Sequence, residues 1–168
     1  MKQQFLYSLL ILTFFSSCVS YYQKNSKFNQ QFERGQLAEA KTTLLSDKKA
    51  EQRKTKLLYF LNRGVVASMQ GNFEESNTFF EKAYIFTEDY RKKTLQQAAA
   101  LITNPKMITY GGEDHELLLI NYYKALNYLQ LDQFQSALVE CKRMNIRLNQ
   151  LSDKYLSLIH ISEPTRLG

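Results

Sequence analysis

The chain has 168 residues, a formal net charge of +6 and 44% hydrophobic residues, which is enough for one domain with its own core. It contains two cysteines, too few for the disulfide framework of a small secreted scaffold. Its basic residues occur in short clusters with acidic residues between them, which favours solvated helix faces over a binding site for an anionic partner.

The first seventeen residues have the layout of a secretory signal. A lysine precedes an apolar run of about eleven residues from Phe5 to Phe15, and small residues lead into Cys18. The run is too short for a membrane-spanning helix, which needs about twenty residues. Ser16-Ser17-Cys18 resembles the end of a bacterial lipoprotein signal, although Phe15 stands where leucine is usual. An ordinary signal peptide with an incidental cysteine is the alternative.

The lipoprotein interpretation implies that residues 1–17 are removed, that Cys18 is acylated, and that residues 18–26 form a tether. Several acyl chains, at about 0.8 kcal/mol per buried methylene, make a stable membrane anchor. Val19-Ser20 lacks the aspartate that often retains lipoproteins in the inner membrane, and residues 19–22 lack an acidic export cluster. We therefore expect a cell-envelope protein on the periplasmic face of an outer membrane, away from nucleic acid.

Three stretches of the remaining chain predict helical hairpins. Their turns are Gly35-Gln36-Leu37, Gly71-Asn72-Phe73 and Leu131-Asp132-Gln133, with apolar residues at helical spacing on both sides. Turns this short make neighbouring helices antiparallel. Small and aromatic residues at set offsets resemble the tetratricopeptide (TPR) repeat; they are Gly64, Phe80, Ala83, Ala125, Tyr128 and Ala137. The sequence predicts an all-α fold, a TPR-like α-solenoid of helical hairpins over residues 27–155.

The third hairpin, residues 116–148, has the clearest apolar faces. The apolar positions are Leu119, Tyr122, Leu126 and Leu129 in its first helix and Phe134, Ala137, Leu138, Cys141 and Leu148 in its second. Because Cys141 lies on the apolar face, we expect it to be a buried free thiol.

An insertion separates the second and third turns, which lie about 61 residues apart where adjacent repeats would give about 34. Residues 89–102 predict an extra helix that Pro105 ends. A loop comes next at residues 106–115, and its polar side chains could form a cluster: Tyr110, Glu113, Asp114 and His115. Their spacing matches no standard metal site, so we expect no metal, and we expect Glu113 and Asp114 to cap the third hairpin.

The run from Tyr110 to Leu151 resembles an uncharacterised family of bacterial lipoproteins with TPR-like repeats, in which a Y-x-G-E-type loop precedes a Y-K-A-L-N-Y-L helix. That resemblance implies a role in the envelope and implies no reaction. The segment LSLIHISEPTR, Leu156 to Arg166, resembles the translation of sequencing-adapter DNA. We therefore expect residues 156–168 to be non-native, the helical domain to be truncated after Tyr155, and further repeats to continue the natural chain.

Two hypotheses of function are consistent with these features. The first is a non-enzymatic scaffold whose groove binds a peptide or another envelope protein; groove candidates are Tyr122, Tyr123 and Asn127, because the first helix of each TPR hairpin usually lines the inner surface. Either tyrosine could instead pack between repeats. The alternative is an enzyme or regulatory subunit of cell-wall metabolism, for which only the acidic loop with His115 offers reactive groups. We expect no catalytic residues and no cofactor.

Overall fold

The computed structural model describes residues 25–96 and 109–162, and these residues are helical, with no strand among them. The prediction of an all-α fold is confirmed. The helices are α1 Ser26–Glu33, α2 Leu37–Ser46, a short 3-10 helix Ala50–Gln52, α3 Lys56–Met69, α4 Phe73–Gln96, α5 Asp114–Gln130 and α6 Phe134–Ser162. Cys18, residues 1–17 and most of the predicted tether lie outside the described residues.

Two predicted boundaries are wrong. Residues 89–96 do not begin an extra helix but continue α4 without a break, and residues 97–102 of that prediction lie outside the described part of the chain. The loop predicted to reach His115 ends at Glu113, because α5 begins at Asp114. Helix α6 also continues past Tyr155 as far as Ser162. No helix within residues 25–96 and 109–162 is both long and apolar enough to cross a bilayer.

Neighbouring helices pair into three hairpins, α1 with α2, α3 with α4 and α5 with α6, which we call hairpins 1, 2 and 3. Each hairpin packs on the next one: α2 contacts α3, and α4 contacts α5. The hairpins therefore form a row in chain order, with hairpin 2 between the other two.

The three hairpin turns have the same backbone conformation. Gly35, Gly71 and Asp132 adopt φ of 71°, 77° and 57°, the left-handed region that ends many helices. In each turn the next amide donates back to a carbonyl of the preceding helix, as Asn72 N does to Ala67 O at 2.9 Å and Gln133 N to Tyr128 O at 2.8 Å. Because one motif recurs at all three turns, positions in the three hairpins can be compared by counting from the turn residue.

The main core lies between hairpins 2 and 3 and is centred on Phe80, which is 1% exposed. Its ring lies flat on the ring of Tyr123, with centroids 5.4 Å apart and planes 10° apart. Gly64 makes room for that ring, since a Cβ atom there would lie 2.9 Å from three of its carbon atoms. A second core joins hairpin 1 to hairpin 2 through Phe28, Ala40, Leu44 and Val66.

Candidate functional site

The side of hairpin 3 that faces away from hairpin 2 is apolar, and no described residue covers it. Seven of its side chains are 40–63% exposed, and Cys141 among them is exposed as well. We call this surface the outer face; it consists of Leu119, Tyr122, Leu126 and Leu129 on α5 and Phe134, Leu138, Cys141 and Leu148 on α6. These residues are almost the same set that the sequence analysis assigned to apolar helix faces.

Counting from the turns shows why the outer face is exposed. The residue nine positions beyond the turn residue is Leu44 in hairpin 1, Phe80 in hairpin 2 and Cys141 in hairpin 3. Leu44 is 5% exposed and packs with Val66 of hairpin 2, and Phe80 packs under hairpin 3. Cys141 has the same position, but no further hairpin is present among the described residues. The expectation of a buried thiol is therefore wrong.

The face of hairpin 2 that corresponds to the outer face packs against hairpin 3. This packing includes a polar contact as well as Phe80. Asn127 of α5 is 1% exposed, and its amide nitrogen donates to Ser76 Oγ at 2.7 Å and to Asn77 Oδ1 at 3.0 Å. Its amide oxygen accepts from Ser68 Oγ at 2.7 Å. In the outer face the positions of Ser68 and Asn77 are taken by Leu129 and Leu138, so this polar contact has no counterpart there.

The three groove candidates occupy different environments. Tyr122 is 44% exposed and belongs to the outer face, whereas Tyr123 is half-buried against Phe80 and packs between hairpins. Asn127 is not on a groove surface: its amide is buried and already bonded to hairpin 2, because helix α5 turns this side toward α3 and α4. The prediction that Asn127 lines a partner groove is therefore wrong, and Asn127 instead joins hairpin 3 to hairpin 2.

Two of the loop candidates act at the start of α5. Glu113 is its N-cap, and the Glu116 carboxylate accepts the Glu113 backbone N–H at 2.9 Å, which forms a capping box. The Tyr110 hydroxyl donates to the same carboxylate at 2.5 Å. Burial, and after it this hydrogen bond, raise the pKa of Tyr110 well above its usual value, so its phenol keeps donating to Glu116 well into the alkaline range. The expected capping role of Glu113 is confirmed.

The other two loop candidates are the first residues of α5 and do not join Tyr110 in one cluster. The Asp114 carboxylate accepts from Lys154 Nζ and from the Tyr155 hydroxyl, both at 2.7 Å, and these bonds lower the pKa of Asp114. His115 is exposed. Within the described ranges, no group of three or more His, Cys, Asp or Glu side chains is placed to hold a metal ion. The arrangement stabilises the start of α5 and its contact with α6.

Sequence reasoning missed a buried charge cluster between α4, α5 and α6. Lys124 is 1% exposed and pairs with Glu140, which is 3% exposed, at 2.8 Å; it also pairs with Glu81 on α4. The second oxygen of Glu140 accepts from Asn121 Nδ2 at 2.8 Å. The spacing in the sequence could have indicated that Lys124 is buried. Lys124 lies three residues before Asn127 and four after Ile120, on the helix stripe that faces hairpin 2.

Comparisons of the chain with known protein families, curated proteins and solved structures found no match. The resemblance of residues 110–151 to bacterial lipoproteins therefore remains a prediction. The geometry of the outer face is the observation from which a function can be argued.

Proposed function

We propose that this protein is a TPR-like α-solenoid scaffold of the bacterial cell envelope, anchored by a lipid on Cys18, whose outer face binds another protein. The observation that carries the proposal is the equivalence between the outer face and the face of hairpin 2 that hairpin 3 covers. Eight side chains that this packing would bury are not covered by any described residue, so this surface can receive either a further hairpin of the natural chain or another protein.

The composition of the outer face supports a binding role. Contiguous exposed apolar patches on soluble proteins mark interaction sites more often than isolated exposed residues do. Charged residues are depleted at the centres of protein interfaces, and aromatic residues are enriched there. The outer face fits this pattern, because it contains Tyr122 and Phe134 and no charged side chain.

The expectation of an envelope location comes from the N-terminal segment and is independent of the outer face. It can be tested separately, because replacing Cys18 by serine should abolish the incorporation of a fatty-acid label without changing the helical content. If the Cys18→Ser variant takes up the label as the original chain does, the lipid anchor on Cys18 is excluded.

The binding role is tested by the reactivity of Cys141, which lies on the outer face. In intact envelopes we expect a partner to slow the modification of Cys141 by a bulky maleimide by about tenfold or more relative to the purified, diluted protein. A matched control is Ile85→Cys in a Cys141→Ser background, because Ile85 is exposed on α4 and does not belong to the outer face. Equal rates for Cys141 in both settings contradict the proposal.

A further inference from the structure

We propose that one end of the row of hairpins binds the surface of an anionic phospholipid membrane, and that this contact orients the row relative to the membrane. We call this surface the basic end. It consists of Lys27 on α1, residues 47–56, which join hairpins 1 and 2, and residues 88–93 near the end of α4. The inference rests on the lipid anchor of the proposed function and is independent of the outer face.

The topology places the basic end opposite the three hairpin turns. Because successive helices are antiparallel, the connection between α2 and α3 and the end of α4 lie on the same side of the row. Helix α4 has 24 residues against 14 in α3, so its last turns extend beyond the start of α3. A cleft of about 330 Å³ is lined by both segments, including Arg53, Lys56 and Lys93. Two basic clusters that are far apart in the sequence thus form one surface.

The basic end has an excess of positive charge that internal ion pairs do not cancel. Residues 47–56 and 88–93 contain eight basic and four acidic side chains. Three of the four acidic residues are paired: Asp47 with Arg53, Glu51 with Lys82 and Glu88 with Arg91. Five lysines at this end are exposed and form no ion pair within the described residues: Lys27, Lys48, Lys49, Lys92 and Lys93. The adjoining residues 19–24 and 97–108 contain two lysines and no acidic residue, so they do not reduce the excess.

The opposite end of the row has the reverse charge. The exposed charged side chains near the three turns are Glu33, Arg34, Glu39, Glu74 and Asp132, of which one is basic. Helix dipoles do not explain this asymmetry, because Lys56 is the first residue of α3, where a cation is disfavoured. At the start of α5, Asp114 is paired with Lys154, and Glu116 accepts from Tyr110. An anionic surface therefore attracts the basic end of hairpins 1 and 2 and repels the turns.

The predicted tether brings the basic end to the membrane. Asn25 and Arg53 line the same cleft, so the chain enters α1 beside residues 47–56. Asn25 follows the lipid-bearing Cys18 by seven positions, and a chain of that length spans at most about 25 Å. The turns lie about 20 Å further away along α3. Each lysine that reaches an anionic membrane surface strengthens the association about fivefold.

The test measures how close each end of the row lies to lipid headgroups. The full chain, purified with its anchor and carrying Cys141→Ser, is reconstituted into phosphatidylcholine vesicles with about 30% phosphatidylglycerol and a headgroup-attached quencher. A fluorophore is placed on Gln52→Cys at the basic end or on Ala38→Cys near the first turn, both exposed positions. We expect strong quenching at residue 52 and weak quenching at residue 38. The difference should shrink in phosphatidylcholine alone and at about 0.5 M salt.

Two pairs of substitutions with the same change in net charge separate the basic end from charge in general. Lys49→Gln with Lys93→Gln should weaken the association of the basic end with the headgroups by about twentyfold or more, as seen in the quenching at residue 52. Arg34→Gln with Lys142→Gln is the matched control, because it removes two exposed basic residues elsewhere. This control pair should leave the quenching unchanged.

Circular dichroism of each variant shows whether it has folded, and Lys48→Gln with Lys92→Gln replaces the first pair if that pair loses helical content. Equal quenching at residues 52 and 38 overturns the inference alone. So does quenching at residue 52 that is the same in phosphatidylcholine, or an equal effect of the two charge pairs. A Cys18 thiol that reacts with maleimide in the denatured chain is not acylated, and this outcome overturns the lipid anchor together with the inference.

Discussion

Phe80 and Cys141 occupy the same position in successive hairpins, nine residues beyond Gly71 and Asp132, yet Phe80 is 1% exposed and Cys141 is exposed. The difference comes from the neighbour of each hairpin: hairpin 3 covers Phe80, and no described residue covers Cys141. One sequence position thus has two environments in one chain, and this contrast gives a direct test of the packing.

Truncation at these two positions should have unequal effects on the free energy of unfolding. Phe80→Ala removes a ring packed against Gly64 and Tyr123 and should destabilise the fold by about 3–5 kcal/mol. Cys141→Ala in dilute protein should change stability by less than about 0.5 kcal/mol, as expected for an exposed site. Urea unfolding followed by circular dichroism measures both. Similar losses at the two sites would show that Cys141 is buried in solution.

Gly64 should not tolerate a side chain. In Gly64→Ala the new methyl group would lie 2.9 Å from the Phe80 ring, closer than carbon atoms pack, and α3 or the ring must shift. We expect a loss of about 1–3 kcal/mol, although alanine is the better helix former. Adding Phe80→Leu should reduce the penalty that the methyl group causes, because the smaller side chain leaves space. A stabilising Gly64→Ala in urea unfolding would contradict the close contact.

Asp132 is the one described residue other than glycine with a positive φ, at 57°. Its two counterparts, Gly35 and Gly71, are glycines, which adopt this conformation without steric cost. Asp132→Gly should therefore stabilise the protein by up to about 1 kcal/mol, and the reverse change, Gly71→Asp, should destabilise it by about 1–2 kcal/mol. Thermal unfolding of the two variants beside the original chain checks the sign of each effect.

The buried pair of Lys124 and Glu140 should show strong coupling in a double-mutant cycle. Lys124→Met leaves the buried Glu140 carboxylate with Arg143, at 3.0 Å, as its remaining cation, so the cost should be somewhat below the ~3–5 kcal/mol of a fully unpaired buried charge. Lys124→Met combined with Glu140→Leu should cost clearly less than the sum of the single changes, since both fully buried charges are removed and Arg143 still has Glu81 nearby. Lys82→Met serves as the control, because Lys82 is exposed and pairs with the exposed Glu51 at 3.3 Å. If the effects of the two single changes on the free energy of unfolding simply add, Lys124 is in contact with water and does not form the buried pair.

Glu75 should make the packing of hairpin 1 on hairpin 2 sensitive to acid. Burial alone would raise its pKa, but hydrogen bonds from Lys41 on α2 and Arg63 on α3 outweigh burial and lower the pKa below 4.5. The folded state thus favours the charged carboxylate, and its stabilisation is present above the unfolded pKa and is lost as the pH falls through the folded pKa.

Glu75→Gln should therefore lower the free energy of unfolding by about 1 kcal/mol at neutral pH, and this difference should shrink and then vanish as the pH falls through the lowered pKa of Glu75 in the folded state. Unfolding curves over that range test the trend, with Glu74→Gln as the control because Glu74 is exposed on the same turn of α4. A difference that persists unchanged in acid would mean that Glu75 acts through its shape and not through its charge.

The helices and turns could be predicted from the sequence because local rules determine them. Apolar spacing located the hairpin helices, and Gly35, Gly71 and Asp132 marked turns that share one backbone conformation. The capping role of Glu113 was also predictable, since a capping box needs only residues close in sequence. The break expected before residue 89 was wrong because no proline or glycine interrupts α4 there.

The tertiary structure alone decided which side of each helix is buried. Helix α5 has an apolar stripe through Leu119 and Leu126 and a mixed stripe through Ile120, Lys124 and Asn127, and the mixed stripe is the buried one. Hydrogen bonds and an ion pair from α4 and α6 satisfy its polar groups, and these partners lie far away in the sequence. Local periodicity determines that a helix has an apolar face; the neighbour it meets determines whether that face is core or surface.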